Sequence, residues 1–128
     1  MPADPLHQLY INLGEQGITD IVAAFYRKVP TDDILGPMYP SDDLEKAQER
    51  LRDFLIYRLG GSQKYIQERG HPRLRMRHNP FAIDVKARHR WIKLMTEAIN
   101  EVGIDAKDSA LMLAFFEHLA TFMINQDS

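Results

Sequence analysis

The sequence predicts an all-α fold. Three observations carry the prediction: apolar residues recur at spacings of three and four in four separate stretches, no stretch alternates apolar with polar residues as a strand would, and glycine and proline clusters punctuate the intervals. With 128 residues there is room for one core that buries roughly two-thirds of the surface exposed by the unfolded chain, so residues 1–128 are expected to form a single domain.

The segment ahead of Gly14 is short and poorly patterned, and only a reduced first helix is expected there. From Ile18 onward, Ile18, Ile21, Val22, Phe25, Tyr26 and Val29 share one helical stripe, with Thr19 as the expected N-cap. Pro30 cannot continue that helix, and Gly36, Pro37 and Pro40 turn the stretch from Thr31 to Pro40 into a tight corner. Ser41, followed by Asp42, Asp43 and Glu45, supplies a capping hydroxyl and early carboxylates for the next helix. Its buried face is expected to be Leu44, Ala47, Leu51, Phe54 and Leu55, and Gly60-Gly61 stops it. Between Ser62 and Ile83 the periodicity is weak, and at most one short turn is expected, around Leu74 to His78, ended by Pro80. A third strong helix opens near Asp84, places Trp91, Ile92, Met95, Ile99 and Val102 on one side and ends at Gly103. The last opens near Asp105 and is apolar over a wide arc, from Leu111 through Phe115, Phe116 and Leu119 to Ile124, which predicts burial on several sides.

Composition removes several classes of function. An apolar share of 45% and a charged share of 27% are ordinary for a globular chain. A net charge of -2 argues against a surface devoted to nucleic acid or anionic lipid. There is no cysteine, so disulfides, thiolate metal sites and cysteine nucleophiles are absent. No apolar run nears the ~20 residues of a membrane span, and the N-terminal residues lack the pattern of a secretory signal, so a cytoplasmic location is expected. Two-histidine metal helices, Gly-rich phosphate loops and Gly-x-Ser-x-Gly elbows are missing. His7, His71, His89 and His118 are scattered and are expected to be structural or superficial.

The informative segment is Arg73-Leu74-Arg75-Met76-Arg77-His78-Asn79-Pro80-Phe81. One interpretation is a solvated basic turn. Another is an axial histidine, His78, flanked by cations that meet the acidic groups of a haem, which needs an apolar slot, an imidazole on iron and positive charge at its rim. Nucleic-acid binding by Arg69, Arg73, Arg75 and Arg77 lacks a surrounding motif. A haem-free helical module that docks an acidic partner through this patch also remains open. Tyr26 and Trp91 fall on buried stripes and Tyr39 lies in the proline corner. Each could simply fill the core, but together they suggest a polar spot inside an apolar cavity.

Phe25-Tyr26, Pro37-Met38-Tyr39-Pro40, Gly60-Gly61, the run from Gly70 to His78, Pro80-Phe81, and Ala87-Arg88 before Trp91 together resemble the group II truncated haemoglobins. The likeness runs from about Ile18 to the final helix. It departs from the family pattern at Gly14-Glu15-Gln16-Gly17, where paired glycines are more usual. The resemblance implies a two-over-two helical sandwich around haem b, with His78 as the proximal iron ligand. It further implies distal roles for Tyr26, Tyr39 and Trp91, with Ala47 and Leu51 on the distal helix. Small Ala47 would leave ligand entry open. Phe54, Leu55, Phe81, Ile83, Met95 and Phe116 would line the haem, while Arg75 or Arg77 with Tyr65 would meet its propionates. The implied function is reversible binding of dioxygen, nitric oxide or carbon monoxide at a five-coordinate iron, with distal hydrogen bonds slowing release. Whether a tyrosine ligates ferric iron stays open. A rival function is an enzyme, a nitric oxide dioxygenase or peroxidase-like catalyst, that uses the same pocket with an external reductase.

Overall fold

The computed structural model describes residues 5–39, 41–70 and 84–123. All regular elements among them are helical: α1 (Pro5–Lys28), α2 (Leu44–Arg58), α3 (Lys64–Arg69), α4 (Val85–Val102) and α5 (Ala106–Phe122), with 3₁₀ turns at Val29–Thr31, Gly36–Met38 and Ser41–Asp43. α1 packs against α2 and, most extensively, against α4, while α4 pairs with α5, which also touches α1. This is the two-over-two helical sandwich expected from the sequence. No described helix is long and apolar enough to cross a membrane.

α1 runs through a kink that the sequence shows only as a glycine. Gly14 has φ 69 and ψ 170, a conformation open to glycine, and helix resumes on both sides of it. The early segment is therefore helical from Pro5, with Leu9 fully buried, rather than reduced. Thr19 consequently lies inside the helix, where its hydroxyl donates to the Glu15 carbonyl at 2.8 Å instead of capping an end. Ile18, Ile21, Val22 and Phe25 are fully buried along the expected stripe. Each such side chain contributes about 1.5–3 kcal/mol by leaving water.

The start of α2 also differs from expectation. Ser41–Asp43 forms a 3₁₀ turn, the N-cap position falls on Asp43, and no side chain caps the helix. The Asp43 carboxylate instead accepts from Arg50 at 2.9 Å, so it is spent on an ion pair about two helical turns away. By contrast, the local signals around α4 and α5 operate as read. Asp84 accepts from the Ala87 N–H at 2.8 Å, Gly103 closes α4 in the left-handed region, and Asp105 accepts from the Lys107 N–H at 3.1 Å.

Two further differences concern length and burial. Helix α3 lies within the weakly patterned stretch, where no helix was expected so early; six residues are too few to display a period. The turn expected around Leu74 to His78 falls outside the described residues. On α5, Met112, Phe116 and Ala120 are buried, whereas Leu111, Leu113, Phe115 and Leu119 are only partly covered and Phe122 is 56% exposed. Broad apolarity thus reflects one deep stripe with half-covered flanks, over one of which the Arg58 guanidinium sits 5.7 Å from the Phe115 ring.

Gly60-Gly61 does more than end α2. A Cβ on Gly60 would stand 2.5 Å from His7 Nδ1, and one on Gly61 would meet the Tyr10 ring at 2.7 Å and Ile56 Cγ2 at 2.8 Å. The pair lets the first turns of α1 close over the end of α2. Gly61→Ala is expected to lower the unfolding free energy by about 1–3 kcal/mol, as overpacking does. Chemical denaturation measures this, and an unchanged midpoint would show that the two helices do not need so close an approach.

Candidate functional site

Three polar side chains from three elements line one cavity. Tyr26 stands in the last turn of α1, and Tyr39 follows the Gly36–Met38 turn, with its N–H on the Gly36 carbonyl at 3.2 Å. Trp91 lies two turns into α4. Tyr26 and Tyr39 meet edge-on with ring centroids 5.7 Å apart. Phe25 touches Tyr26 at 5.0 Å and Trp91 at 5.7 Å, and Phe116 backs Trp91 at 5.3 Å, so the rings are held by edge-to-face packing.

Trp91 and Tyr26 both lie near enough to the Tyr39 phenol to bear on its charge. Burial pushes the Tyr39 phenol above its ordinary value, and hydrogen bonds from Trp91 and then Tyr26 partly oppose that rise. Burial likewise pushes the Tyr26 phenol far up; the Tyr39 phenol adds to the rise, and Arg50 works against it. An indole N–H can only donate and each phenol can donate or accept, so the three groups offer several donors to the cavity they line.

The cavity beside this cluster measures about 290 Å³. Ala47, Leu51 and Phe54, at spacings of four and three, bring one face of α2 to it, and Tyr65 of α3 continues that wall. Tyr65 packs against Phe54 at 5.6 Å and Tyr57 at 6.2 Å. Leu35 and Met38 come from the corner, Ala87 and Arg88 from α4, and Leu119, Ala120 and Met123 from α5 and its end. Arg50 and Asp43 also line it, joined at 2.9 Å and each about two-fifths exposed, so the pair lies toward solvent.

Of the residues singled out in the sequence, Tyr26, Tyr39, Ala47, Leu51, Phe54, Tyr65 and Trp91 all line this cavity. Leu55, Met95 and Phe116 are fully buried in the core and are not in the cavity wall. Leu55 is turned by about 100° from Phe54 around the helix, and Phe116 acts from behind Trp91. His78, Arg75, Arg77, Phe81 and Ile83 lie outside the described residues. His89 and His118 are exposed. Arg50 and Arg88 were not anticipated, although each sits three residues from a recognised position, Ala47 and Trp91, on the same helix face. Arg88 is anchored by Nε to Thr121 Oγ1 at 3.0 Å and by Nη2 to the Glu117 carbonyl at 3.4 Å.

Comparison with known proteins decides the family. Residues 8–125 match the family described as bacterial-like globin. The chain belongs to the bacterial-like globins, among the group II truncated haemoglobins. It is 35% identical to the group 2 truncated haemoglobin YjbI of Bacillus subtilis over 117 residues, which is 91% of this chain and 88% of that protein. Among solved structures it is similar to the haemoglobin of the thermophilic phototroph Chloroflexus aurantiacus, with 39% identity, a TM-score of 0.86 and coverage of 92% and 98% of the two chains. The group II truncated haemoglobin of Bacillus anthracis gives 31% identity and a TM-score of 0.89, covering 100% of this chain and 95% of that one. A truncated oxygen-avid haemoglobin from Bacillus subtilis gives 32% identity and a TM-score of 0.86, over 91% and 98%.

Membership implies a haem cofactor and binding of a diatomic gas such as oxygen. The described residues fit that cofactor: the cavity is walled mainly by apolar side chains for a macrocycle, has hydrogen-bond donors from three elements in its wall, and has two guanidinium groups in its lining that suit propionates. The raised phenols make a pH prediction for this globin. A group whose native pKa is raised keeps its stabilising effect below the unfolded value, near 10 for tyrosine, and loses it as the pH climbs through the native one. Tyr26 and Tyr39 are therefore expected to stay protonated beyond the ordinary tyrosine range while the fold loses stability as the pH rises above it. Ultraviolet titration checks this, and ionisation of all five tyrosines near pH 10 in the folded protein would contradict it.

Proposed function

We propose that this globin binds dioxygen reversibly at haem b held by His78, and that Tyr39 is the donor that slows release. Bound haem supplies an iron with an open coordination position for a diatomic ligand, nitric oxide and carbon monoxide included. The observation that carries the proposal is the arrangement of the three distal groups: Tyr26, Tyr39 and Trp91 all line the cavity, and the Tyr26 and Tyr39 rings meet edge-on at 5.7 Å. Of the two phenols, Tyr39 is the one on which Trp91 and Tyr26 both bear, and its O–H is a donor for a bound ligand.

The remaining residues have simpler tasks. Ala47, Leu51, Phe54 and Tyr65 provide the apolar wall along α2 and α3, and Arg50 and Arg88 are cations suited to the propionates, beside the Arg75 and Arg77 of the basic segment. Small Ala47 presents no polar atom to a ligand, so hydrogen bonding rests on the aromatic cluster. Slow release agrees with the character of the oxygen-avid haemoglobin of Bacillus subtilis, to which the chain is similar.

Purified protein is expected to show a haem spectrum that shifts on reduction and again on addition of carbon monoxide. His78→Ala is expected to lose haem or change the ferrous spectrum, whereas an unaltered spectrum would move the iron ligand elsewhere. Tyr39→Phe removes a hydrogen bond worth about 1–3 kcal/mol, so oxygen dissociation should quicken roughly ten- to hundredfold. Trp91→Phe should also quicken it. Because Trp91 acts partly through Tyr39, its effect should shrink when Tyr39 is already Phe, and strictly additive effects in stopped-flow measurements would rule out that coupling.

A further inference from the structure

We propose that Asp32 and Arg90 are positioning residues of the distal site, joining the corner that bears Tyr39 to the helix that bears Trp91. The inference rests on the function proposed above and extends it to residues outside the cavity wall. Asp32 Oδ1 accepts from the N–H groups of Ile34 at 2.9 Å and Leu35 at 2.8 Å, and its Oδ2 accepts from Arg90 Nη1 at 2.7 Å. The carboxylate is only 5% exposed and Arg90 only 27%. Asp33, which meets the same Nη1 at 3.1 Å, is 82% exposed and contributes little.

From Asp32 an unbroken series of bonds leads to Tyr39. The Gly36 N–H bonds the Asp32 carbonyl at 3.0 Å, the Met38 N–H bonds the Leu35 carbonyl at 2.9 Å, and the Tyr39 N–H bonds the Gly36 carbonyl at 3.2 Å. At the other end of the bridge, Arg90 is the residue directly before Trp91. One carboxylate thus orders the corner's backbone and ties it to α4 at the point where the indole leaves the helix. Its three bonds are of the kind that make a carboxylate hold its charge: burial alone would raise the Asp32 pKa, yet the Leu35 N–H, the Arg90 guanidinium and the Ile34 N–H together bring it below its ordinary value. The corner's apolar side chains, Leu35 above all, pack on the core, and the bridge adds the polar tie that sets the backbone leading to Tyr39 against the turn of α4 that bears Trp91.

The test uses the haem-loaded protein in its ferrous carbon monoxide form, labelled with nitrogen-15. Trp91 is the single tryptophan, so its indole N–H gives one side-chain resonance of its own type. Arg90→Gln and Asp32→Asn are each expected to shift that resonance and to quicken oxygen dissociation by roughly tenfold, the value of part of one hydrogen bond. Arg90→Lys should recover part of both effects. Lys28→Gln provides the control, since it breaks the 3.1 Å pair between α1 and Glu101 of α4 without touching the corner. It should lower stability slightly and leave resonance and rate unchanged. If Arg90→Gln moves neither readout while Tyr39→Phe still quickens dissociation, the bridge is merely structural and the positioning role is overturned. If Tyr39→Phe has no effect either, the proposed donor itself is wrong, and a shift of the indole resonance alone still decides whether the bridge orients Trp91.

Discussion

A hydroxyl buried among hydrocarbon has to be satisfied, and in this globin that requirement organises the ligand site. Tyr26, Tyr39 and Trp91 all line one cavity, and no buried side-chain nitrogen or oxygen among the described residues is left without a partner. The three groups come from a helix end, an irregular corner and a second helix, so the cluster exists only when α1, the corner and α4 are correctly set against one another. Away from bulk water a polar group is costlier to misplace.

The packing around the site follows from the same need. Phe25 occupies the position next to Tyr26 on α1 and also touches Trp91, so the residue that fills the core at that point keeps the two donors apart and oriented. Ile18, Ile21 and Val22 secure the rest of that helix. Contacts behind the wall hold the lining side chains in place. Phe116 behind Trp91 and Tyr57 beside Tyr65 are two such supports, and both are unremarkable apolar positions when seen only in sequence.

What was legible in the chain was what depends on neighbours in sequence. Asp84, Gly103 and Asp105 punctuate α4 and α5 because a cap and its amide are only two to four residues apart. The stripes on α1, α2 and α4 were visible for the same reason, and they delivered Tyr26, Ala47, Leu51, Phe54 and Trp91 to the cavity wall. Thr19 and Ser41 have the right chemistry for caps, but Gly14 lets α1 continue through a kink and a 3₁₀ turn precedes α2, facts set by how segments meet in space. α3 is too short to announce itself. Arg50, Arg88 and the Asp32–Arg90 bridge were illegible because a charged residue on a helix surface looks the same whether it faces water or a partner 58 positions away. The resemblance to truncated haemoglobins added the roles that no local pattern could supply.

The electrostatics also bear on whether a tyrosine serves as a donor or as a ligand to ferric iron. Coordination calls for the phenolate, and burial opposes ionisation of both phenols. For Tyr26 the rise is large, and the neighbouring Tyr39 phenol adds to it. Tyr39 differs in degree, since Trp91 and Tyr26 work against the rise without cancelling it. Their surroundings therefore hold both phenols in the neutral form, and Trp91, whose indole N–H can only donate, has no second protonation state to adopt across the ordinary pH range.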